Sequence, residues 1–374
     1  MLRRATQLLV RLLTVIPVLG LGLLGCQQEG RDQQSSTPSP QREQTSGMQP
    51  AAVTDLDADM QAVIDAHTAL GPKPIAQLTP QQARVQPSPA DAVKSVLRAQ
   101  GKSTVPVPGV TTQDVTYPGA AGEVKARIYR PAGAASSPRP VIVYYRGGGW
   151  VIANLDVYDA TPRALAKKLD AIVVSADYRV APEYPFPASH DDAIAAYRWV
   201  CDKAASWQGD PQRIALVGES AGGNLALNVA MAARDQQLQR PTHIALVYPV
   251  GSNRTDTPSY RDSAEAKPLN AAMMGWFIKH ALPKAADRSD PRIDLVHANL
   301  KDLPPTTIIN AQSDPLRSDG DLLAAALKTA GNDVVHTIYP GTTHEFFGMA
   351  AVVAKAEQAQ NDAVMRLKPA LAAR

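Results

Sequence analysis

The stretch at residues 214–228, IALVGESAGGNLALN, decides the fold of this chain. It begins with an apolar run typical of a buried strand and ends with a small, amphipathic run typical of a helix. Between the two runs, glycines stand two residues before and two residues after Ser220. Because glycine has no Cβ, these positions allow a very sharp turn between strand and helix. The serine hydroxyl is then expected to be exposed at the end of the strand, over the beginning of the helix.

The rest of the chain alternates strand patterns with helix patterns, which is typical of a parallel sheet covered on both faces. Two alternating segments, 113–117 and 124–129, predict an antiparallel pair that comes before this part. Six further strands are predicted at 141–145, 171–175, 213–217, 242–248, 306–311 and 334–339. Helices are predicted at 164–169, 190–203, 322–328 and 349–367. The fold class is therefore α/β, with a mostly parallel, doubly wound sheet.

Two regions do not follow the alternation. Short helical patterns around Met60 and at 91–98 fall within residues 54–109, ahead of the sheet. A Met- and Trp-bearing segment near 252–300 interrupts the strand–helix order later in the chain. We expect both regions to form a helical cap, and residues 110–374 to form the main domain that carries the later insertion.

The amino-terminal sequence is typical of an export signal. Three arginines precede an apolar run that ends in LLGC at Cys26, and the run is too short and too rich in glycine for a confident membrane span. It resembles a bacterial lipoprotein signal peptide of residues 1–25, which implies cleavage before Cys26 and a diacylglycerol group on its thiol. Gln27 in place of Asp favours the outer membrane, facing the periplasm, as the site in the cell envelope. An ordinary signal peptide with a chance cysteine is the alternative.

Residues 26–53 are rich in Gln, Ser, Thr and Pro and are predicted to be a flexible tether. The formal charge of the whole chain is +3, which gives no reason to expect nucleic acid as a partner. No grouping of cysteine and histidine has metal-ligand spacing. We expect neither a metal nor an organic cofactor, and nothing in the sequence indicates an oligomeric state.

A serine hydroxyl needs a neighbouring base before it can attack an ester. In a fold of this type the partners should follow in the order serine, acid, histidine, each after a strand. Of the seven histidines, His336 falls inside the predicted strand 334–339, where it reads as an alternating side chain. His344 comes just after that strand and is the predicted base.

The acid is predicted by the same reasoning. Asp314 comes directly after the predicted strand 306–311. Asp319 lies later, in what reads as the first turn of a helix, where a carboxylate stabilises free N–H groups. Asp314 is therefore the preferred partner of the histidine, and Asp319 is the second choice.

Negative charge that develops on an ester oxygen must be met by fixed N–H groups. Ala221, directly after the serine, supplies one at the start of its helix. The glycine-rich stretch 144–150, YYRGGGW, follows a buried strand and is predicted to supply the others. The alternative is a phosphate-binding loop, but the lysine, Ser/Thr and helix start that such a loop requires do not follow it.

Taken together, these motifs resemble the hormone-sensitive-lipase-like branch of the α/β-hydrolase carboxylesterases, over nearly all of residues 54–374. The resemblance rests on the glycine loop, the segment DYRVAPEYPFP at 177–187, Asp191 and Asp192, the serine turn, Asp314-Pro315-Leu316 and His344. It implies Ser220 as nucleophile, Asp314 as acid and His344 as base, with the backbone N–H groups of Gly148 and Gly149 as oxyanion donors. It also implies an α/β-hydrolase fold with a cap over an acyl pocket, and a structural role for Glu219.

The chain departs from this family at two positions. Arg146 stands where the glycine loop normally begins with histidine, so the support of the loop must differ, because arginine has no hydrogen-bond acceptor. Glu345 follows His344 where glycine is usual. A carboxylate there favours the charged form of the base and is expected to raise its pKa.

The expected function is that of a serine carboxylesterase acting on small-molecule acyl esters through an acyl-enzyme. The family resemblance implies acyl groups of about two to eight carbons. The same chemistry on an acetylated polysaccharide, a lactone or an amide is one alternative. A degenerate, non-catalytic lipoprotein that binds at the envelope is the other.

Overall fold

The computed structural model describes residues 56–373. The predicted signal peptide (1–25), with the lipidation site Cys26 and the tether (26–53), lies outside the described residues. No helix within 56–373 has both the length and the apolar character needed to cross a membrane.

A single sheet of eight strands forms the centre of the fold, in the order β1-β2-β4-β3-β5-β6-β7-β8. Strands β1 and β2 are antiparallel to each other, β2 is antiparallel to β4, and the remaining neighbours are parallel. The strand bounds are β1 Val110–Gly119, β2 Gly122–Pro131, β3 Arg139–Tyr145, β4 Ile172–Ala176, β5 Gly209–Glu219, β6 Ile244–Val247, β7 Thr306–Ser313 and β8 Val334–Thr343. The predicted α/β fold with a mostly parallel sheet is confirmed.

Helices cover both faces of the sheet. Their bounds are α1 Ala58–Ala69, α2 Pro80–Ala83, α3 Pro89–Ala99, α4 Ala160–Leu169, α5 Ala188–Lys203, α6 Ala221–Asp235, α7 Pro258–Asp262, α8 Ala271–Ala281, α9 Arg317–Thr329 and α10 Ala354–Ala370. The last helix begins later than the sequence predicts, because Phe346–Met349 forms a separate 3₁₀ turn.

Strand β3 shows why its sequence is continuously apolar. Val141, Val143 and Tyr145 belong to the large core cluster that includes side chains of α5, α6 and α9. Ile142 and Tyr144 belong to a second cluster with side chains of α4 and α10. Successive side chains of a strand point to opposite faces, so a strand buried on both faces needs an apolar residue at every position.

The helices ahead of the sheet pack against the same end of the fold as the serine turn. Met60 of α1 and Val96 of α3 belong to a buried cluster that includes Val247 and Phe346. The later segment, with α7 and α8, connects β6 to β7. Trp276 of α8 donates a 3.0 Å hydrogen bond from its indole N–H to the carbonyl of Leu78. The two regions predicted to form the cap are therefore in direct contact.

Candidate active site

The turn around Ser220 is as sharp as its glycines suggest. Strand β5 ends at Glu219 and α6 begins at Ala221, which leaves Ser220 with φ 57° and ψ −120°. A Cβ on Gly218 would lie 2.1 Å from the carbonyl oxygen of Gly222, and one on Gly222 would lie 2.0 Å from that of Tyr145. Both distances are far below van der Waals contact, so this backbone requires glycine at both positions. Positive φ at a serine is a strained conformation that the surrounding packing must hold.

Ser220, His344 and Asp314 lie in one hydrogen-bonded chain. The hydroxyl of Ser220 is 3.0 Å from Nε2 of His344, and Nδ1 of His344 is 2.7 Å from Oδ2 of Asp314. Asp314 is fully buried, and its other oxygen accepts a 2.8 Å hydrogen bond from the N–H of Leu316. Because the carboxylate holds the proton on Nδ1, Nε2 is free to accept the proton of the serine.

The electrostatics of this chain favour a strong base. Burial lowers the pKa of His344, but the negative charges of Asp314 and Glu345 raise it, and the net pKa lies above its ordinary value. The effect expected for a carboxylate at position 345 therefore has the predicted sign. The imidazole ring also packs against Tyr248, with 4.4 Å between the ring centroids.

The two residues weighed as alternatives take other partners. Asp319 is buried at the start of α9, where its Oδ2 accepts hydrogen bonds of 3.1 and 3.2 Å from the N–H groups of Gly251 and Ser252. His336 lies within β8, and its Nε2 is 3.1 Å from Oδ1 of Asn310. Neither residue makes a hydrogen bond to His344 or Ser220 within the described part of the chain.

The glycine loop follows β3 and lines the same cavity as Ser220. Gly148 and Gly149 have φ of 102° and 58°. A Cβ on Gly148 would lie 2.2 Å from the carbonyl oxygen of Ile152, so the loop can close this tightly only with glycine. Within residues 56–373 the N–H groups of Gly148, Gly149 and Ala221 donate to no other protein group. Unpartnered backbone N–H groups beside a nucleophile suit the oxygen of an ester as it becomes negative.

Arg146 supports this loop from inside the protein. Its side chain is 1% exposed and forms an ion pair of 2.6 Å with Asp177. From the same guanidinium, Nη1 donates to the carbonyls of Gly147 (3.0 Å) and Ile152 (2.9 Å). The ring of Tyr178 packs against the guanidinium, with 4.3 Å between the ring centroid and Cζ of Arg146. The arginine thus holds the loop through donors alone.

Glu219 is buried beneath the serine turn. One carboxylate oxygen accepts a 2.6 Å hydrogen bond from the hydroxyl of Tyr144, and the other accepts a 2.5 Å bond from that of Tyr248. Burial raises the pKa of this carboxyl, although both tyrosine hydrogen bonds act in the opposite direction. These contacts fit the structural role that the sequence suggested.

One residue of the site was missed by sequence reasoning. The hydroxyl of Tyr158 donates a 2.5 Å hydrogen bond to Oε1 of Glu345, across 187 positions of sequence. Tyr158 lies in the connection between the glycine loop and α4, where nothing in the local pattern separates it from an ordinary core tyrosine. Only a three-dimensional contact could have found it.

The serine opens into a large cavity. Its volume is about 1440 Å³, and its walls include Gly148, Gly149, Ser220, His344 and Glu345. Apolar side chains from both helical regions line the rest, among them Ile75, Met273 and Phe277. The arrangement suits a small molecule with an apolar part. Within residues 56–373, no three His, Cys, Asp or Glu side chains are grouped so that they could hold a metal ion.

Several known proteins with similar sequences or structures are named as esterases or ester hydrolases. Residues 142–348 match a family model described as the alpha/beta hydrolase fold. A carboxylesterase of Mycobacterium tuberculosis, NlhH, is 39% identical over 254 residues, which are 67% of this chain and 79% of that protein. Ethyl acetate hydrolase of Pseudomonas putida is 34% identical over 241 residues, 62% of this chain and 74% of that one. The structure of a hyperthermophilic esterase from the archaeon Pyrobaculum calidifontis is similar with a TM-score of 0.75 at 32% identity, over 85% of this chain and 100% of that chain.

Proposed function

Because this chain belongs to the α/β-hydrolase family and is a carboxylic ester hydrolase, we propose that it works as a serine esterase on small acyl esters. The observation that carries the proposal is the hydrogen-bonded chain Ser220–His344–Asp314, which opens into an apolar cavity. This complete set of hydrogen-bonded residues also argues against the alternative of a non-catalytic lipoprotein that binds at the envelope. A fluorophosphonate probe tests the proposal directly, since it reacts with activated serines and should form a single adduct, located on Ser220 by mass spectrometry.

The first half of the reaction transfers the acyl group to the enzyme. The Oγ of Ser220 forms a bond with the carbonyl carbon while its proton moves to Nε2 of His344. The carbonyl oxygen becomes negative and is stabilised by the N–H groups of Gly148, Gly149 and Ala221. When the bond to the alkoxy oxygen breaks, that oxygen takes the proton from Nε2 and leaves as the alcohol.

The second half returns the enzyme to its starting state. A water molecule gives a proton to Nε2 of His344 and forms a bond with the acyl carbon. The bond from that carbon to Oγ of Ser220 then breaks, and Oγ recovers the proton from Nε2. The products are one alcohol and one carboxylic acid.

We expect kcat/KM for p-nitrophenyl esters to rise with acyl length and to peak at about two to eight carbons. Each methylene buried in the apolar cavity contributes about 0.8 kcal/mol until the acyl pocket is filled. The name of the Pseudomonas relative, ethyl acetate hydrolase, supports the short end of this range. The measurement is kcat/KM across a series from acetate to palmitate. A steady rise up to palmitate would contradict a short acyl pocket, and preference for an acetylated sugar or a lactone would favour those alternatives.

We also propose that the protein is anchored in the bacterial envelope by a lipid on Cys26 and faces the periplasm. The support is the sequence LLGC at its position after a short apolar run. Expression in a Gram-negative host with labelled palmitate should label the wild-type protein and bring it to the membrane fraction. Cys26→Ser should lose both the label and the membrane association. Cys201→Ser is the matched control, because Cys201 is a free cysteine within residues 56–373. A palmitate label lost in this control but kept in Cys26→Ser would contradict the anchor.

A further inference from the structure

The contacts of Glu345 lie on the side of His344 that faces Ser220. Glu345 has a left-handed backbone conformation, with φ 71°, and its side chain is mostly buried. Its Oε1 is 4.0 Å from Nε2 of His344, the nitrogen that faces Ser220. Asp314 contacts the opposite nitrogen at 2.7 Å. The imidazole therefore lies between two carboxylates, one on each side.

Tyr158 holds the second of these carboxylates in position. Its hydroxyl donates the 2.5 Å hydrogen bond to Oε1 of Glu345. The same hydroxyl lies against the glycine loop, since a Cβ on Gly147 would come within 2.4 Å of it. Tyr158 thus connects the loop that carries the oxyanion donors to the loop that carries the base, and both Tyr158 and Glu345 line the cavity.

The groups with the largest effects on the pKa of Glu345 are His344, Glu219, Tyr158 and Asp314. Three further tyrosines, Tyr144, Tyr178 and Tyr248, lie close enough for the charge of Glu345 to raise their pKa. Tyr144 and Tyr248 direct their hydroxyls to Glu219 instead. His344 is therefore the group that gains a positive charge beside Glu345 when the serine proton moves to Nε2.

We propose that Glu345, held by Tyr158, is a positioning residue that stabilises the protonated form of His344 during acyl transfer. The inference rests on the serine mechanism proposed above. When Glu345 is ionised, its negative charge near the imidazolium stabilises the transition state, because the charge is in place before the proton arrives. The electrostatics agree with this geometry. Burial raises the pKa of Glu345 to about 7 even though the charge of His344 acts to lower it, and Glu345 in turn raises the pKa of His344.

The test is the pH dependence of kcat/KM in Glu345→Gln. His344 acts as a base only when neutral, so activity falls as the pH drops through its pKa. Since the carboxylate raises that pKa, its removal should move the acid limb to lower pH, by about half a unit or more. On the plateau, kcat should fall about threefold to tenfold, because the imidazolium loses one counter-charge.

Two further variants separate charge from structure. Glu345→Asp keeps the negative charge, so the pH of its acid limb should lie between those of the wild type and Glu345→Gln. Tyr158→Phe removes a hydrogen bond that favours the ionised carboxylate, so its acid limb should move in the same direction as that of Glu345→Gln, by less. Glu123→Gln, at an exposed position in β2, is the matched control and should leave the profile unchanged.

The result that overturns the inference is an acid limb in Glu345→Gln within about 0.2 units of the wild type. This result is decisive if a fluorophosphonate also labels the variant stoichiometrically, because such labelling shows that Ser220 is still activated. If Glu345→Gln does not fold, the same limit applied to Tyr158→Phe decides. Either result leaves the serine mechanism standing, because that mechanism fails only if activity survives the loss of Ser220.

Discussion

Replacing Ser220 with alanine is expected to lower kcat for p-nitrophenyl butyrate by at least about a thousandfold. The reason is that the hydroxyl 3.0 Å from Nε2 of His344 is the atom that forms the acyl bond in the proposed mechanism. Labelling by a fluorophosphonate should disappear in the same variant. The fold should be retained, because alanine removes one oxygen and leaves the strained backbone of the turn unchanged.

Ser206→Ala provides the control for this experiment. Ser206 is exposed, and its hydroxyl donates only to the carbonyl of Lys203 on the surface. This variant should keep wild-type kcat and labelling. Hydrolysis by Ser220→Ala within tenfold of the wild type would contradict the serine mechanism, provided that contaminating esterases are excluded by a mock purification.

Replacing Asp314 with asparagine is expected to lower kcat about ten-thousandfold. The carboxylate accepts the Nδ1 proton of His344 at 2.7 Å and so leaves Nε2 free to accept a proton. An asparagine at this position can present an N–H group to Nδ1, which favours the opposite tautomer and places the proton on the wrong nitrogen. The variant also loses the negative charge that stabilises the imidazolium. Steady-state kinetics with an unchanged melting temperature would separate this effect from unfolding.

Asp319→Asn is the matched control and is expected to change kcat by less than about threefold. Burial raises the pKa of Asp319 well above its ordinary value, although the hydrogen bonds from the N–H groups of Gly251 and Ser252 act in the opposite direction. Its Oδ2 accepts from two backbone N–H groups, an arrangement that the amide oxygen of asparagine can reproduce. If Asp319→Asn lost more activity than Asp314→Asn, the assignment of the acid would be wrong.

Much of this site could be predicted because the fold orders it along the chain. Parallel strands bring their carboxyl ends to one edge, so a histidine just after one strand and an aspartate just after its neighbour must approach each other. Position relative to β7 and β8 was therefore enough to choose Asp314 over Asp319 and His344 over His336. The glycines at 218 and 222 were equally readable, because their requirement is local.

Contacts between distant loops could not be predicted in this way. Tyr158 and Glu345 meet across 187 positions, and no periodicity relates them. The contact between Leu78 and Trp276, which joins the two helical regions, is of the same kind. The sequence also showed that the arginine in the glycine loop breaks the family pattern, but its partner Asp177 depends on how the loops pack. Contacts between side chains of different loops depend on tertiary packing, so the local sequence pattern does not predict them.

The guanidinium of Arg146 has a consequence for how acid inactivates the protein. An imidazole in the same place would change its charge near neutral pH, in the range where His344 also titrates. The guanidinium keeps its charge throughout that range, so its ion pair with Asp177 and its bonds to the loop carbonyls persist. We therefore expect moderate acid to protonate His344, which stops it from acting as a base, while the glycine loop keeps its conformation. Inactivation of this kind is expected to reverse on neutralisation, because the loop does not have to form again.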